Sequence, residues 1–250
     1  MKYINRLEMN YRRTLFVLCM AIACYTRIIA QENPVENYLQ QAGDYIDIYN
    51  GQMEASYNIL LYDNLPYYNS PNLENATIFY RKCYYPNQKA RLDLFREQFI
   101  VSTTDGRYGI ILNPSNVEKI IMYGKTFRWL NPAKESGLKQ GYYIHLSEGK
   151  SLQLFAKESY TLQPNMLTSG YRDKRLYRFD QSMRYYLLYG GKYNMVKDKN
   201  SFSNLFPQYK KQINQFVKDH HLKFKKENSA ESLTSLAAYC DELLTPTNKQ

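Results

Sequence analysis

Short runs of alternating apolar and polar residues fill the middle of this chain, and glycine-containing turns separate them. Between residues 98 and 157 the runs form three successive pairs: 98–102 with 107–112, 117–123 with 126–130, and 141–146 with 151–157. Alternation of this length is typical of β-strands that bury one face, and two such runs around a short turn with glycine predict a hairpin. This stretch therefore predicts three consecutive antiparallel hairpins.

The same pattern continues on both sides. Asn50-Gly51 separates two alternating runs within residues 44–63, and Gly190-Gly191 separates residues 184–189 from 192–197. Both dipeptides favour two-residue hairpin turns, because glycine and asparagine accept the left-handed backbone that such turns need. Each is therefore predicted to join two strands.

Two further stretches complete the strand prediction. Residues 76–85 are predicted to be one strand, with a turn at Pro86-Asn87 and a return strand at 90–95. Residues 158–180 predict a short strand followed by a charged, exposed connector. Because short turns join nearly all of these runs, the sheet is predicted to be antiparallel, with roughly 10–12 strands.

After Asn200 the apolar spacing becomes helical. One helix is predicted around a stripe of Phe206, Tyr209, Ile213, Phe216 and Val217. A second is predicted to begin at Asn228 or Ser229, with Glu231 at the capping-box position and a stripe of Leu233, Leu236, Ala237, Cys240, Leu243 and Leu244. Both stripes need another apolar surface to cover them.

The predicted fold class is α+β, mainly β: an antiparallel meander of successive hairpins with two C-terminal helices packed on the sheet. No linker rich in proline, glycine or serine separates the strands from the helices. We therefore expect a single domain over residues 31–250, with the hairpins in 31–200 and the helices in 201–245.

The first thirty residues have the pattern of a secretory signal peptide. Arg12-Arg13 precedes an apolar run over residues 15–23, which is too short to cross a bilayer of ~30 Å as a helix. The favoured cleavage site follows Ala30, and lipoprotein processing at Cys24 is the alternative. The chain is thus expected to be exported, either to the periplasm or to the inner face of the outer membrane, and not to be an integral membrane protein after signal removal.

The net charge of +10 becomes less unusual once this segment is set aside. Residues 1–30 contain five basic residues and one acid, a net charge of +4, which leaves +6 for the rest of the chain. Apart from a cluster at residues 223–226, these basic residues are interspersed with acids. A nucleic-acid-binding protein needs a denser basic face, so no nucleic-acid partner is expected.

Export leaves Cys83 and Cys240 as the cysteines of the mature chain. An oxidising compartment allows them to pair, in which case the disulfide would close a long loop. The alternative is two free thiols, since Cys83 lies in a strand-like run and Cys240 on the apolar face of a helix.

No catalytic, cofactor-binding or metal-binding residue is predicted. The chain contains no HExxH, CxxC, GxSxG, P-loop or GxGxxG motif. His145 lies within a strand, and the adjacent His220 and His221 point about 100° apart on a helix, which makes them poor joint ligands. The acids Asp63, Asp93, Glu97 and Asp105 are spread along turns and strands.

The 26 tyrosines are the most unusual feature of the composition. Adjacent pairs such as Tyr142-Tyr143 and Tyr185-Tyr186 place one ring on each face of an extended strand. One interpretation is an exposed aromatic binding surface formed by these four residues. The other is cross-strand packing, which such rings also favour.

Several segments resemble a family of uncharacterised secreted proteins of Bacteroidota. The likeness lies in residues 185–226 and 235–244, with further similarity in 117–130 and 141–157. The resemblance implies export, tyrosine-rich hairpins and C-terminal helices, and it implies no activity or site.

The function that these patterns favour is that of an exported, non-enzymatic binding or assembly module of the cell envelope. Its partner classes would be an envelope protein, a glycan or a lipid. An alternative is a carrier that holds an apolar ligand or lipid between sheet and helices, and a lesser one is an exported hydrolase that uses scattered carboxylates.

Overall fold

A computed structural model describes residues 47–133, 136–164, 176–225 and 227–245, together with Ala42. The chain divides into two compact units, Met1–Ile46 and Asp47–Gln250. The predicted signal peptide, its cleavage site after Ala30 and the alternative site at Cys24 lie outside the described residues. All of the strands and helices named below belong to the second unit.

One antiparallel sheet of eleven strands forms the body of the described chain, and it confirms the predicted α+β, mainly β class. In chain order the strands are β1 Gln52–Met53, β2 Glu74–Tyr80, β3 Cys83–Asp93, β4 Gln98–Ser102, β5 Gly109–Ile111, β6 Val117–Met122, β7 Lys125–Leu130, β8 Gly141–Glu148, β9 Leu152–Pro164, β10 Tyr177–Tyr189 and β11 Lys192–Val196. Across the sheet the order is β1-β5-β4-β3-β2-β6-β7-β8-β9-β10-β11. The departure from chain order lies at the β1 end, where β2 pairs with β6.

The three hairpins predicted between residues 98 and 157 are confirmed as β4–β5, β6–β7 and β8–β9. The Gly190-Gly191 turn is confirmed as well, since both glycines have positive φ and join β10 to β11.

The short strand predicted within residues 158–180 is confirmed as the end of β9, whereas the exposed connector predicted after it is wrong at residues 177–180, which belong to β10. The connector residues before Leu176 lie outside the described residues. Strand β9 continues to Pro164 and β10 begins at Tyr177, so that each strand has 13 residues. Phe179 pairs with Leu162 and is buried. The charged neighbours of Phe179 conceal the alternation in the sequence.

The hairpin predicted at Asn50-Gly51 is wrong. Residues Asp47–Tyr49 form a 3-10 helix, and β1, which follows Gly51, pairs with β5. Neither residue of the dipeptide has the positive φ that a type I′ turn requires. Gly51 instead allows a close approach, because a Cβ there would overlap the carbonyl oxygen of Ile111.

The strand predicted over 76–85 is interrupted at Arg81 and Lys82, which turn the chain from β2 into β3 with φ values of 49° and 64°. Glu118 accepts a hydrogen bond from the Lys82 N–H at 2.6 Å, which helps to hold this turn without glycine. The turn predicted at Pro86-Asn87 is instead an irregularity within β3, where the register shifts opposite Thr77.

Among the described residues that follow the sheet there are three helices, and not the predicted two: α1 Lys199–Leu205, α2 Lys210–Asp219 and α3 Ser229–Leu244. A short 3-10 segment, Pro207–Tyr209, separates the first two, because proline cannot continue the α1 hydrogen-bond ladder. The predicted start of the last helix is confirmed at Ser229. Its predicted capping box is not, since Asn228 makes no side-chain cap hydrogen bond.

The helices cover one face of the β8–β11 part of the sheet through a group of buried side chains that we call the sheet–helix cluster. Its members are Leu152, Leu154, Leu187, Val196, Phe202, Phe206, Ile213, Val217, Leu233, Leu236, Ala237 and Cys240. Leu138, Tyr143 and Phe155 form a separate cluster, with Phe155 next to Leu154 in an extended strand and therefore on the opposite face. Strand β9 is thus buried on both faces at Leu154 and Phe155.

A carboxylate attaches the last helix to the β8–β9 turn. Asp241 of α3 accepts hydrogen bonds from the backbone N–H groups of Lys150, Ser151 and Leu152 at 2.9, 2.7 and 2.8 Å. Gly149 is needed here because a Cβ would overlap the Asp241 carboxylate. No helix among the described residues is both long and apolar enough to span a membrane.

Candidate functional site

The predicted aromatic binding surface does not form. Tyr142 and Tyr143 are 2% and 1% exposed, on opposite faces of β8, and Tyr185 and Tyr186 are half-buried. The Tyr142 ring packs edge-to-face on Phe99 with centroids 5.4 Å apart. Packing therefore accounts for the Tyr142-Tyr143 pair, as the second interpretation expected.

Cys83 and Cys240 are both free thiols, which corrects the disulfide alternative. Cys83 is exposed at the start of β3, whereas Cys240 is buried in the sheet–helix cluster. Burial raises the pKa of the Cys240 thiol to about 12. The second alternative, two unpaired thiols, describes the structure.

His145 and His220 each stack on an aromatic ring. His145 stacks on Phe155 with ring centroids 4.8 Å apart, and burial lowers the pKa of its imidazole. His220 Nδ1 lies 3.1 Å from the carbonyl oxygen of Phe216. No group of three metal-binding side chains occurs among the described residues.

A buried ion pair occupies the place where β8 and β9 separate, which we call the sheet fork. Pairing between these strands ends at Ile144 and Ala156, although β9 continues beside β10. Beyond this point the side chains of Glu97 and Lys157 make the backbone hydrogen bonds that a neighbouring strand would otherwise make. Glu97 Oε2 accepts from the Tyr142 N–H at 2.8 Å, Lys157 Nζ donates to the Tyr142 carbonyl oxygen at 2.9 Å, and Lys157 Nζ lies 2.5 Å from Glu97 Oε1.

The fork gives both charged groups a structural role, since each binds the backbone of Tyr142. Burial raises the pKa of Glu97 and lowers that of Lys157, while their mutual contact acts in the opposite direction in each case. Gly141 has a φ of 153°, and a Cβ there would lie 2.5 Å from Glu97 Oε2. Asp93, which contributes to the raised Glu97 pKa, accepts from the Tyr57 hydroxyl at 2.8 Å and from two backbone N–H groups of its own turn.

Glu158 is a buried carboxyl with fewer partners. It is 7% exposed and accepts one hydrogen bond within the described residues, from Gln181 Nε2 at 2.5 Å. Burial raises its pKa. Its charge in turn helps to raise the pKa of the Tyr68 hydroxyl, which reaches about 12 mainly through burial.

A cavity of about 360 Å³ opens at the β1 end of the sheet, and we call it the edge cavity. Its lining consists of Met53, Glu54, Ser56, Leu73, Arg91, Gly106, Arg107, Tyr108 and Gly109. Arg91 Nη2 donates to Glu54 Oε2 at 2.6 Å, and the Tyr67 hydroxyl donates to Glu54 Oε1 at 2.9 Å. The Arg91 guanidinium also lies over the Tyr67 ring, 4.6 Å from its centroid, and donates to the carbonyl oxygen of Pro71. Arg91 is therefore held rigidly in the cavity wall.

The rim of the edge cavity combines exposed apolar groups with a second ion pair. The Tyr108 ring is 52% exposed and Met53 is 65% exposed. Arg107 is paired with Asp105. Hydrogen bonds from Thr103 and Arg107 lower the pKa of the Asp105 carboxyl to about 2. Each arginine thus has a carboxylate beside it, and the site offers fixed donors beside apolar surface with its charges balanced.

No protein-family model, curated protein or solved structure matches this chain. The resemblance to secreted proteins of Bacteroidota therefore stays a prediction.

Sequence reasoning did not single out the residues of the edge cavity. One signal was present: Gly109 interrupts an apolar strand, which often marks a close approach by another group. A Cβ at Gly109 would lie 2.7 Å from Glu54 Oε2, so this glycine does make room for the cavity wall.

Replacing Lys157 by methionine should lower the free energy of unfolding by about 3–5 kcal/mol, because Glu97 would remain buried without its cation. Urea denaturation of the variant and the parent chain measures this change. Lys89→Met, at an exposed position of β3, is the control and should change stability by less than about 0.5 kcal/mol. A Lys157→Met loss no larger than that of the control would contradict the role of the fork.

Glu158 should make the folded state less stable as the pH rises. Because burial raises its pKa, the folded carboxyl keeps its proton to a higher pH than the unfolded one, and stability is lost above the unfolded value near 4.5. The Glu158→Gln variant lacks this pH-dependent loss. Its free energy of unfolding, compared with that of the parent chain, should therefore increase from pH 4 to 8. Equal pH profiles from urea denaturation would exclude the effect.

Proposed function

We propose that this protein is an exported, non-enzymatic binding protein that holds a neutral saccharide in the edge cavity. The main support for this proposal is the rigid, charge-balanced wall that Glu54 and Arg91 form next to the exposed Tyr108 ring. Ligand sites commonly combine apolar surface with a few fixed polar groups, and this cavity has that composition.

A saccharide fits this combination better than an ion does. Sugars carry hydroxyls that both donate and accept hydrogen bonds, and their C–H faces pack on aromatic rings, which offer apolar surface. A strongly charged ligand would need an uncompensated charge, whereas Arg91 and Arg107 each have a carboxylate beside them.

The cavity supports binding more than catalysis. Both oxygens of Glu54 already accept hydrogen bonds, from Tyr67 and from Arg91, so neither is positioned as a free general base. A hydrolase based on Asp93 and Glu97 has less support, because their oxygens cap backbone groups or bind Lys157 and Tyr57.

The lipid-carrier alternative also has less support. Phe202, Ile213, Leu233 and Leu236 are 0% exposed in the sheet–helix cluster, so side chains fill the space between sheet and helices at these positions.

Binding should be detected on an array of neutral oligosaccharides and then measured by calorimetry. Tyr108→Ala should weaken the best ligand roughly three- to tenfold by removing the ring, whereas Tyr108→Phe should retain most of the affinity. The matched control is Tyr84→Ala, which removes an exposed ring outside the cavity. Failure to bind any neutral saccharide, or tighter binding of uronate oligomers, would refute the proposal.

Export is tested separately by fractionating cells and determining the mass of the recovered protein. Cleavage after Ala30 gives a chain that begins at Gln31, and the N-terminal mass distinguishes it from a lipid-modified Cys24. Recovery of the intact chain from the cytoplasm would exclude export.

A further inference from the structure

The positive charge of this protein is concentrated in one segment. Residues 192–225 contain eight lysines and two aspartates, a net charge of +6. The chain as a whole carries +10, of which residues 1–30 supply +4. The remaining stretches therefore sum to zero, and the surplus of the predicted mature chain lies in β11, α1, α2 and the loop that follows α2, whereas residues 226–245 carry a net charge of −3.

Four of these lysines are exposed on α2 and on the loop that follows it, and we call them the lysine surface. Ile213 and Val217 are the buried residues of α2, whereas Lys211 and Lys218, seven positions apart, are exposed on its opposite side.

The loop that follows α2 supplies the other two members. Leu222 and Phe224 pack against the sheet–helix cluster, so the alternating Lys223 and Lys225 face outward. These two lysines line a cavity of about 570 Å³ together with Glu227 and Asn228.

The lysine surface keeps an excess of positive charge, since Asp219 and Glu227 are the acids nearest to its four lysines in the sequence. Within the described residues, none of its four lysines forms an ion pair. The nearby Asp219 accepts a hydrogen bond from Gln215 at 2.7 Å. This is unlike the edge cavity, where each arginine has a carboxylate beside it.

The kind of basic residue indicates the kind of anion. No arginine occurs after Arg184, so lysine is the basic residue of this region, together with His220 and His221. Arginine forks are suited to planar, bidentate recognition of individual phosphates and bases, whereas lysine acts as a point charge. A surface of lysines fits a diffuse field of negative charge, such as that of an anionic bilayer.

Aromatic rings lie close to Lys218 at the C-terminal end of α2. Phe216 stacks on Tyr239 with centroids 4.1 Å apart and on His220 with centroids 4.0 Å apart. Phe216 and Tyr239 also pack against the sheet–helix cluster, so they fix the position of α2 and of its exposed lysines. We propose that the lysine surface docks this protein on an anionic lipid bilayer.

The test is co-sedimentation of the full protein with vesicles of phosphatidylcholine alone or mixed in equal parts with phosphatidylglycerol. The protein should bind the anionic vesicles more tightly, and salt should weaken that binding. Replacing Lys211, Lys218, Lys223 and Lys225 by serine should reduce the affinity roughly tenfold or more, since each lysine near the surface adds to the attraction.

A matched variant separates position from net charge. The control variant replaces four exposed lysines outside this region by serine: Lys82, Lys89, Lys125 and Lys139. It lowers the net charge by the same amount, and its affinity for the vesicles should stay within about twofold of that of the parent chain. Equal losses in the two variants would refute a localised surface. So would unchanged binding in the first, or equal binding of the parent chain to both kinds of vesicle.

Competition distinguishes the bilayer from other anions. Inorganic phosphate should weaken vesicle binding only as much as sodium chloride of the same ionic strength does. Stronger competition would indicate a discrete phosphate site, and tighter binding of a single-stranded oligonucleotide than of vesicles would indicate a nucleic-acid partner. Either result would overturn the proposal.

Discussion

A backbone that leaves its neighbouring strand inside a protein must find new hydrogen-bond partners, and this constraint governs the middle of the sheet. Tyr142 is 2% exposed at the point where β9 no longer pairs with β8. Glu97 and Lys157 supply the acceptor and the donor, while their opposite charges compensate each other. Each group alone would be costly to bury, so the backbone and the two side chains stabilise one another.

The separation of the strands at the fork allows β9 and β10 to continue as a two-stranded arm, and the arm connects the fork to the candidate site. Phe179 near its end packs with Ile100 of β4 and with Tyr57 and Tyr67. Tyr67 in turn supports Glu54 and Arg91 in the wall of the edge cavity. The proposed saccharide site therefore depends on a strand separation elsewhere in the sheet, through packing that is continuous between the two places.

Local patterns predicted the parts of the fold that local interactions determine. Gly190-Gly191 and the three central hairpins follow from alternation and turn chemistry, because each strand pairs with its neighbour in sequence. The fork joins residues 60 positions apart and the Arg91–Glu54 pair joins residues 37 apart, so no short window contains either. The errors at Asn50-Gly51 and Arg81-Lys82 have the same origin, since tertiary contacts of those segments override the preference of the dipeptide for a turn or a strand.

The contact between Asp241 and the β8–β9 turn has a consequence for the order of folding. The carboxylate is 89 to 91 residues from the N–H groups that it binds, and it belongs to the last helix of the described chain. While a ribosome still holds that helix, water must serve as the acceptor for the turn. Synthesis proceeds from the N-terminus, so the central hairpin acquires its final three hydrogen bonds only after the rest of the sheet has emerged.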